Sequence, residues 1–321
     1  MRKIFAGVDV GGGTTKACVV EGSASVASIV IPTTLGTSSD LGDLAIAAVG
    51  AAVEEAGCRI PDLTAIGVGV PGQVASGRVR NAANLGIDEE GYDLEGHLTA
   101  ATGVPTSVEN DMTVAAFGAF SRLSVDDPSL ESLVYIGLGT GVSAGVVLNR
   151  EVFRGSRALA GEFGHVPMGT GLACACGSMG CLETVIGANG LREAWPGANT
   201  TNLFAAAAEG DERAVKVVDH AIGFLATAMW WLAAAYDPDY FLIGGGLGIN
   251  NPSIKSLITE RWAEMSSPSP LARRVLDPER IRISDLEEPV GAYGAALLAA
   301  GDAGRSEPTT PESNWEEETR K

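Results

Sequence analysis

Ile4-Phe-Ala-Gly-Val-Asp9-Val-Gly11-Gly-Gly-Thr14-Thr-Lys16-Ala-Cys-Val-Val20 is an apolar run that ends near an aspartate, turns on three glycines and two threonines, and resumes as a second apolar run. This reads as strand, tight glycine turn, strand. A second copy follows: Leu133-Val-Tyr-Ile-Gly137-Leu-Gly139-Thr140-Gly141, then Val142-Ser-Ala-Gly-Val-Val-Leu148. One such unit at the start of each half predicts duplicated α/β domains facing each other across a cleft. Taken alone, the first turn is as readily a plain glycine-rich hairpin. Its backbone N–H groups and hydroxyls suit phosphate, and its repetition at Gly139-Thr140-Gly141 favours that use. Asp9 is then placed to meet the accompanying magnesium, usually through water.

At 321 residues the chain has room for two domains with separate cores. Its 45% apolar content suits a packed soluble α/β protein. A net charge of −18, from 22 basic and 40 acidic residues, argues against a broad nucleic-acid surface. The N-terminal apolar run is short and interrupted by Asp9, so it is not read as a signal peptide. The longest uncharged stretch, Ala221 to Tyr236, falls short of a membrane span and reads as a buried helix. Five cysteines without a disulfide framework point to the cytoplasm.

Apolar spacing predicts helices over 40–57, closed by Gly57, over 112–123 and 215–236, and a closing helix over 290–300. Strands are expected at 65–70, ending in Pro71-Gly72, at Thr106 to Asp111, and at 240–244, running into Gly244-Gly245-Gly246. Ser124 to Leu130 reads as the loop between halves. The expected domains are therefore 1–123 and 124–300, with a disordered tail over 301–321.

Cys174-Ala-Cys176-Gly-Ser-Met-Gly-Cys181 holds three of the five cysteines, and His165 precedes it by nine residues. Thiolates and imidazole are the ligands of tetrahedral zinc, and glycines let so short a loop turn back. Four protein ligands would make that zinc structural. Glu162 and Glu183 flank the loop, as acceptors for hydroxyl groups of the kind a sugar presents or as ordinary surface carboxylates. Asp111 follows a strand and precedes a helix. It is either the N-cap of that helix or a base accepting the proton of an attacking hydroxyl. His97, in a polar segment, reads as solvent-exposed and His220 as a helix position; both read as structural, with no role in the site.

Together these residues resemble the ROK family of bacterial sugar kinases, within the actin-like/hexokinase ATPase superfamily. The resemblance spans roughly residues 4–300. It rests on Asp9 to Lys16, Gly69-Val-Pro-Gly72, Glu109-Asn110-Asp111, Gly137 to Gly141, Gly161-Glu162-Phe-Gly164-His165, the cysteine loop with Glu183, and Asp237-Pro238 with Gly244 to Gly246. It implies duplicated ribonuclease H-like domains with the active site in the cleft, and a closing helix that packs back on the N-terminal lobe. Asp111 would activate a sugar hydroxyl. Asn110, Asn84, Glu162, His165 and Glu183 would bind the sugar, and His165 would complete the zinc site with Cys174, Cys176 and Cys181. Asp9, Gly11, Gly12, Gly13, Thr14, Gly139, Thr140 and Gly141 would serve the ATP phosphates, with Gly244, Gly245 and Gly246 near the adenosine. The family also suggests a homodimer or homotetramer.

Two departures stand out. Gly13 occupies the position of a family threonine, leaving Thr14 or Thr15 to supply the phosphate-facing hydroxyl, and Ser143 replaces a common glycine. The expected function is transfer of the ATP γ-phosphoryl to the 6-hydroxyl of a hexose, glucose first, with Mg²⁺. The alternatives are an N-acetylglucosamine or N-acetylmannosamine kinase, and a sugar-binding regulatory protein without catalysis. A DNA-binding repressor of the same family is disfavoured, because the first phosphate strand starts by residue 4.

Overall fold

The computed structural model describes residues 3–35, 40–82, 85–196, 200–286 and 289–303. Two compact units emerge: Met1–Asp126 with Val152–Ala160 and Leu286–Lys321, and Asp127–Glu151 with Gly161–Asp285.

The first unit runs β1 Ile4–Val10, β2 Thr14–Glu21, β3 Ala24–Pro32, α1 Asp40–Glu55, β4 Ala65–Val70, β5 Gln73–Ala75, β6 Arg78–Arg80, β7 Tyr92–Asp93, α2 Leu94–Thr102, β8 Thr106–Asn110 and α3 Asp111–Asp126. Its main sheet has the order β3-β2-β1-β4-β8. The β1–β2–β3 meander is antiparallel, and β4 and β8 join parallel to β1. Strand β4 is buried at every position, which matches its uninterrupted apolar sequence. α1 buries an Ala/Val/Leu stripe and ends before Gly57, whose φ of +69° is the left-handed turn that stops a helix.

The second unit holds β9 Leu133–Leu138, β10 Val142–Leu148, β11 Glu151–Val152, α4 Glu183–Ile186, α5 Ala188–Ala194, α6 Thr200–Ala208, α7 Glu212–Tyr236, β12 Tyr240–Gly244, α8 Gly245–Asn250, α9 Ser253–Ser266, α10 Pro270–Val275 and β13 Ile281–Ile283. Its sheet order, β11-β10-β9-β12-β13, repeats that of the first. The antiparallel β9–β10 hairpin and the parallel β12 and β13 complete the correspondence. By length and composition α7 is the one helix among the described residues able to cross a membrane. Its apolar stripe, including Val218, Ile222, Leu225 and Met229, lies instead in the core of this unit.

The last helix, α11 Val290–Asp302, runs two residues into the expected tail, and residues 304–321 lie outside those described. It belongs to the first unit, where it packs on β1, β4 and α3. Glycine makes this possible. A Cβ on Gly7 or Gly67 would overlap carbonyl oxygens of α11, and a Cβ on Gly118 or Gly294 would overlap backbone between α3 and α11. The expected boundary at 123/124 is also shifted, because α3 continues through Asp126. Val152–Ala160 joins the first unit, held there by Arg154 on Glu109 and by Gln73 Nε2 donating to Arg157 O at 2.9 Å.

These contacts divide the glycines by what a methyl group would meet. Gly67→Ala should lower unfolding free energy by about 3 kcal/mol, because the obstacle is backbone that cannot rotate away. Gly50→Ala, inside α1 with open space around it, should raise it by about 0.5–1 kcal/mol. Denaturant titration of both variants checks the contrast, and equal effects would remove glycine packing as the anchor of α11.

Candidate active site

In the first unit the candidate residues sit at the C-terminal ends of the parallel strands, where open α/β sheets present ligands. Asp9 pairs with Lys16 across the hairpin and with Gly69 on β4, and Val70 pairs with Asn110. The turn between β1 and β2 is closed by Gly11 N–H donating to Thr14 O at 3.0 Å. Thr33, at the end of β3, fastens it: its N–H donates to Gly13 O at 3.1 Å and its hydroxyl to Gly11 O at 2.7 Å. Gly12 and Gly13 have nothing where a Cβ would stand, so their value is open backbone rather than unusual φ. Thr15 is fully buried, its hydroxyl 2.9 Å from that of Thr33. Exposed Thr14 is therefore left as the hydroxyl of this turn.

The Asp9 carboxylate lies against the first turn of α11, filling the space a Cβ on Gly291 would need. Burial pushes its pKa up to about 6, with Lys16 pulling the other way. At the end of β8 the two neighbouring polar residues divide the work. Asn110 is the helix cap: its Oδ1 accepts from Met112 N at 2.9 Å and Thr113 N at 3.2 Å. Its Nδ2 donates to Gly72 O at 3.0 Å. Asp111 is the first residue of α3, its Oδ1 accepting from Met112 N at 2.9 Å. Glu109, two residues before Asp111, pairs with Arg154; burial raises its carboxyl and the guanidinium opposes the rise. Asn84 lies outside the described residues.

In the second unit Gly161 and Gly164 lie flush on β10, where Cβ atoms would overlap the carbonyl oxygens of Ala144 and Val142. Ala144 N donates to Gly161 O at 2.9 Å. This segment carries Glu162 and His165. The cysteine loop is short and self-bonded, with Cys174 N donating to Ser178 O at 2.9 Å and left-handed φ at Gly177 (+87°) and Gly180 (+78°). It brings His165, Cys174, Cys176 and Cys181 together with one ligand atom each, all within 4.8 Å of one another. The Cys176 and Cys181 sulfurs are 3.7 Å apart, and Cys174 Sγ is 3.8 Å from His165 Nδ1. A tetrahedral ion with bonds of about 2.3 Å separates its ligands by roughly 3.8 Å, so the donor set fits zinc.

Around this cage stand two carboxylates. Glu162 Oε2 is 3.7 Å from His165 Nε2, while Glu183 Oε1 is 3.7 Å from Nδ1 and accepts from Cys174 Sγ at 3.0 Å. Burial raises the Glu162 carboxyl, His165 lowers it, and Glu183 raises it further. The Gly139–Gly141 turn follows β9; Gly244 ends the parallel neighbour β12, paired with Gly137, and Gly245 and Gly246 open α8. Both glycine segments thus emerge side by side at one edge of the second sheet. A Cβ on Gly244 would overlap the Tyr135 hydroxyl, and one on Gly245 the Leu138 backbone.

Sequence reasoning missed Thr33, Gly291 and Arg154, whose partners are distant along the chain and carry no local pattern. His97, expected in solvent, is half-buried: its ring packs over Gly42, with Nε2 3.8 Å from Asp43. His220 is exposed on α7, its ring edge-on to Phe224 with centroids 4.8 Å apart.

The chain matches the family model described as the ROK family over residues 5–302. A glucokinase of Halalkalibacterium halodurans is 32% identical, over 92% of this chain and 94% of its own. An N-acetylmannosamine kinase of Citrobacter koseri is 29% identical, over 71% of this chain and 78% of its own. Among solved structures, a ROK family glucokinase from Streptomyces griseus in complex with glucose and AMPPNP superposes with a TM-score of 0.73 at 27% identity. That match covers 93% of this chain and 99% of the other. The repeated sheet is that of the actin-like, hexokinase-like α/β fold. The chain belongs to the ROK family and is a sugar kinase.

Proposed function

We propose that this protein transfers the γ-phosphoryl group of ATP to the 6-hydroxyl of an aldohexose, with glucose as the preferred acceptor. One observation carries this function: Asn110 Oδ1 takes both Met112 N and Thr113 N, so α3 has its cap without Asp111, whose carboxylate stands at the first residue of α3, directly after β8. As general base it accepts the proton of the 6-hydroxyl while the oxygen attacks phosphorus and ADP leaves. Glu162 and Glu183 accept hydrogen bonds from other hydroxyls, and the remaining amide N–H of Asn110 donates to the sugar. The glucokinase relative matches a larger share of the chain than the N-acetylmannosamine kinase, which favours a plain hexose over an N-acetylhexosamine.

For the donor phosphates the first unit offers the turn of Gly11 to Gly13, closed by Gly11 N–H on Thr14 O, with the N–H groups of Gly12 and Gly13 and the Thr14 hydroxyl. The second offers the turn of Gly139 to Gly141, closed by Gly139 N–H on Gly141 O, with the Thr140 hydroxyl. Gly244 to Gly246 leave room for the adenosine. Magnesium, when bound, neutralises phosphate charge; Asp9 holds it, usually through water, and is ionised above about pH 6. Zinc, when bound to His165, Cys174, Cys176 and Cys181, would brace the loop flanked by the sugar-side carboxylates.

ADP release measured across a panel of hexoses and N-acetylhexosamines should be fastest with glucose; no stimulation by any sugar would end the kinase assignment. Asp111→Asn should lower kcat by roughly 10²- to 10⁴-fold while shifting stability by less than about 0.5 kcal/mol. Asn110→Ala should cost about 1 kcal/mol of stability through the lost cap. The opposite pattern would make Asp111 the structural residue.

Asp9 carries a pH signature. Its folded pKa, about 6, lies above its ordinary value of 3.8, so the ionised carboxylate opposes folding above pH 6. As pH falls from 6 towards 4 the folded state takes up the proton first, and the penalty is relieved. Asp9→Asn should therefore raise unfolding free energy at pH 8 by up to about 3 kcal/mol, have no such effect at pH 4, and abolish Mg²⁺-dependent turnover. Denaturant titrations at the two pH values, with the ADP assay, read all three. Cys176→Ser should bind less than one zinc per chain and melt at a lower temperature; full zinc content would remove Cys176 from the ligand set.

A further inference from the structure

The second unit contains a direct physical link between the cysteine cage and the Gly139–Gly141 turn. Cys181, a cage residue, is followed after one residue by α4, and α4 passes through Gly187 into α5. At that junction Ala188 N donates to Gly139 O at 2.9 Å, and Asn189 N donates to Thr140 O at 3.4 Å. Gly187 is needed for the approach, since a Cβ there would sit 2.6 Å from Glu183 O and 3.0 Å from Thr140 O. The carbonyl side of the turn is thus bonded to the helix pair that starts at the cage, while the Gly139 N–H closes the turn on Gly141 O at 3.0 Å.

Glu183 adds a side-chain connection to this backbone one. Its Oε1 is 3.0 Å from Cys174 Sγ and 3.7 Å from His165 Nδ1. Its Oε2 lies 2.5 Å from the point where a Cβ on Gly141 would be. One carboxylate therefore touches two cage residues at one end and the backbone of the turn at the other. Cage and turn cannot shift independently without breaking one of these contacts.

We propose that Glu183 is a positioning residue for the phosphoryl donor, and that the cysteine cage sets nucleotide affinity through it as well as bracing the sugar side. The coupling presupposes the kinase function proposed above, because it takes the Gly139–Gly141 turn as the donor-phosphate site. Coupling between two sites is reciprocal: whatever factor the occupied cage contributes to nucleotide affinity, nucleotide contributes to metal affinity.

The test uses the wild-type, zinc-loaded chain. Zinc transfer to a chromophoric zinc-selective chelator is followed with and without a non-hydrolysable ATP analogue and Mg²⁺, in the absence of sugar. The analogue should tighten zinc retention on the order of tenfold. Calorimetric titration of the analogue should show a weakening of similar size in Glu183→Ala that still holds its zinc, and a smaller one in Glu183→Gln, which keeps the shape. Unchanged zinc affinity with the analogue bound, or equal analogue affinity in wild type and Glu183→Ala, overturns the coupling. A role confined to sugar would show as that equal affinity with a raised KM for the hexose. If the wild type itself shows no heat with the analogue, the kinase function fails, and the coupling with it.

Discussion

Backbone packed directly on backbone determines where the functional groups of this protein stand. Gly7 and Gly67 let α11 rest on the first sheet without intervening side chains, and this brings the first turn of α11, at Gly291, against the Asp9 carboxylate. Gly161 and Gly164 do the same on β10, and so fix the segment that bears Glu162 and His165. Gly187 lets α4 and α5 meet the turn after β9. In each case a methyl group would displace not a flexible side chain but a carbonyl oxygen, so the position of the neighbouring polar residue is set by rigid contacts. Each unit then presents its polar groups at the C-terminal edge of its parallel strands.

That logic explains what was legible beforehand. The Asp9 turn, its second copy and the cysteine loop are local patterns, and the structure forms them as hairpin, hairpin and ligand cluster. The division of labour at 110 and 111 was not legible, because Asn and Asp cap helices about equally well. Only the observed start of α3 decides which of them does so. Arg154 on Glu109 and Gly291 on Asp9 join residues far apart in sequence, and no periodicity marks such pairs. The transfer of Val152–Ala160 to the first unit follows from those distant contacts and was invisible for the same reason.

The departure at Gly13 is also clarified. Had Thr15 been available, the loss of a threonine at position 13 would have been made good twice over. Its hydroxyl is committed to Thr33, which ties β2 to β3 beneath the turn. The turn thus keeps Thr14 as its exposed hydroxyl, and Thr33 anchors it through the carbonyls of Gly11 and Gly13 even though Gly12 and Gly13 add no packing of their own.

Asp9 shows why such a site is held at some expense to stability. A buried carboxylate beside a single lysine keeps a pKa near 6, so at neutral pH the fold carries a charge it would be more stable without. A divalent cation placed beside it would supply the missing counter-charge. An asparagine of the same shape would remove the penalty, and with it the charge such a cation would need. The buried charge packed against Gly291 is therefore a cost to the fold that a counter-charge beside it would offset.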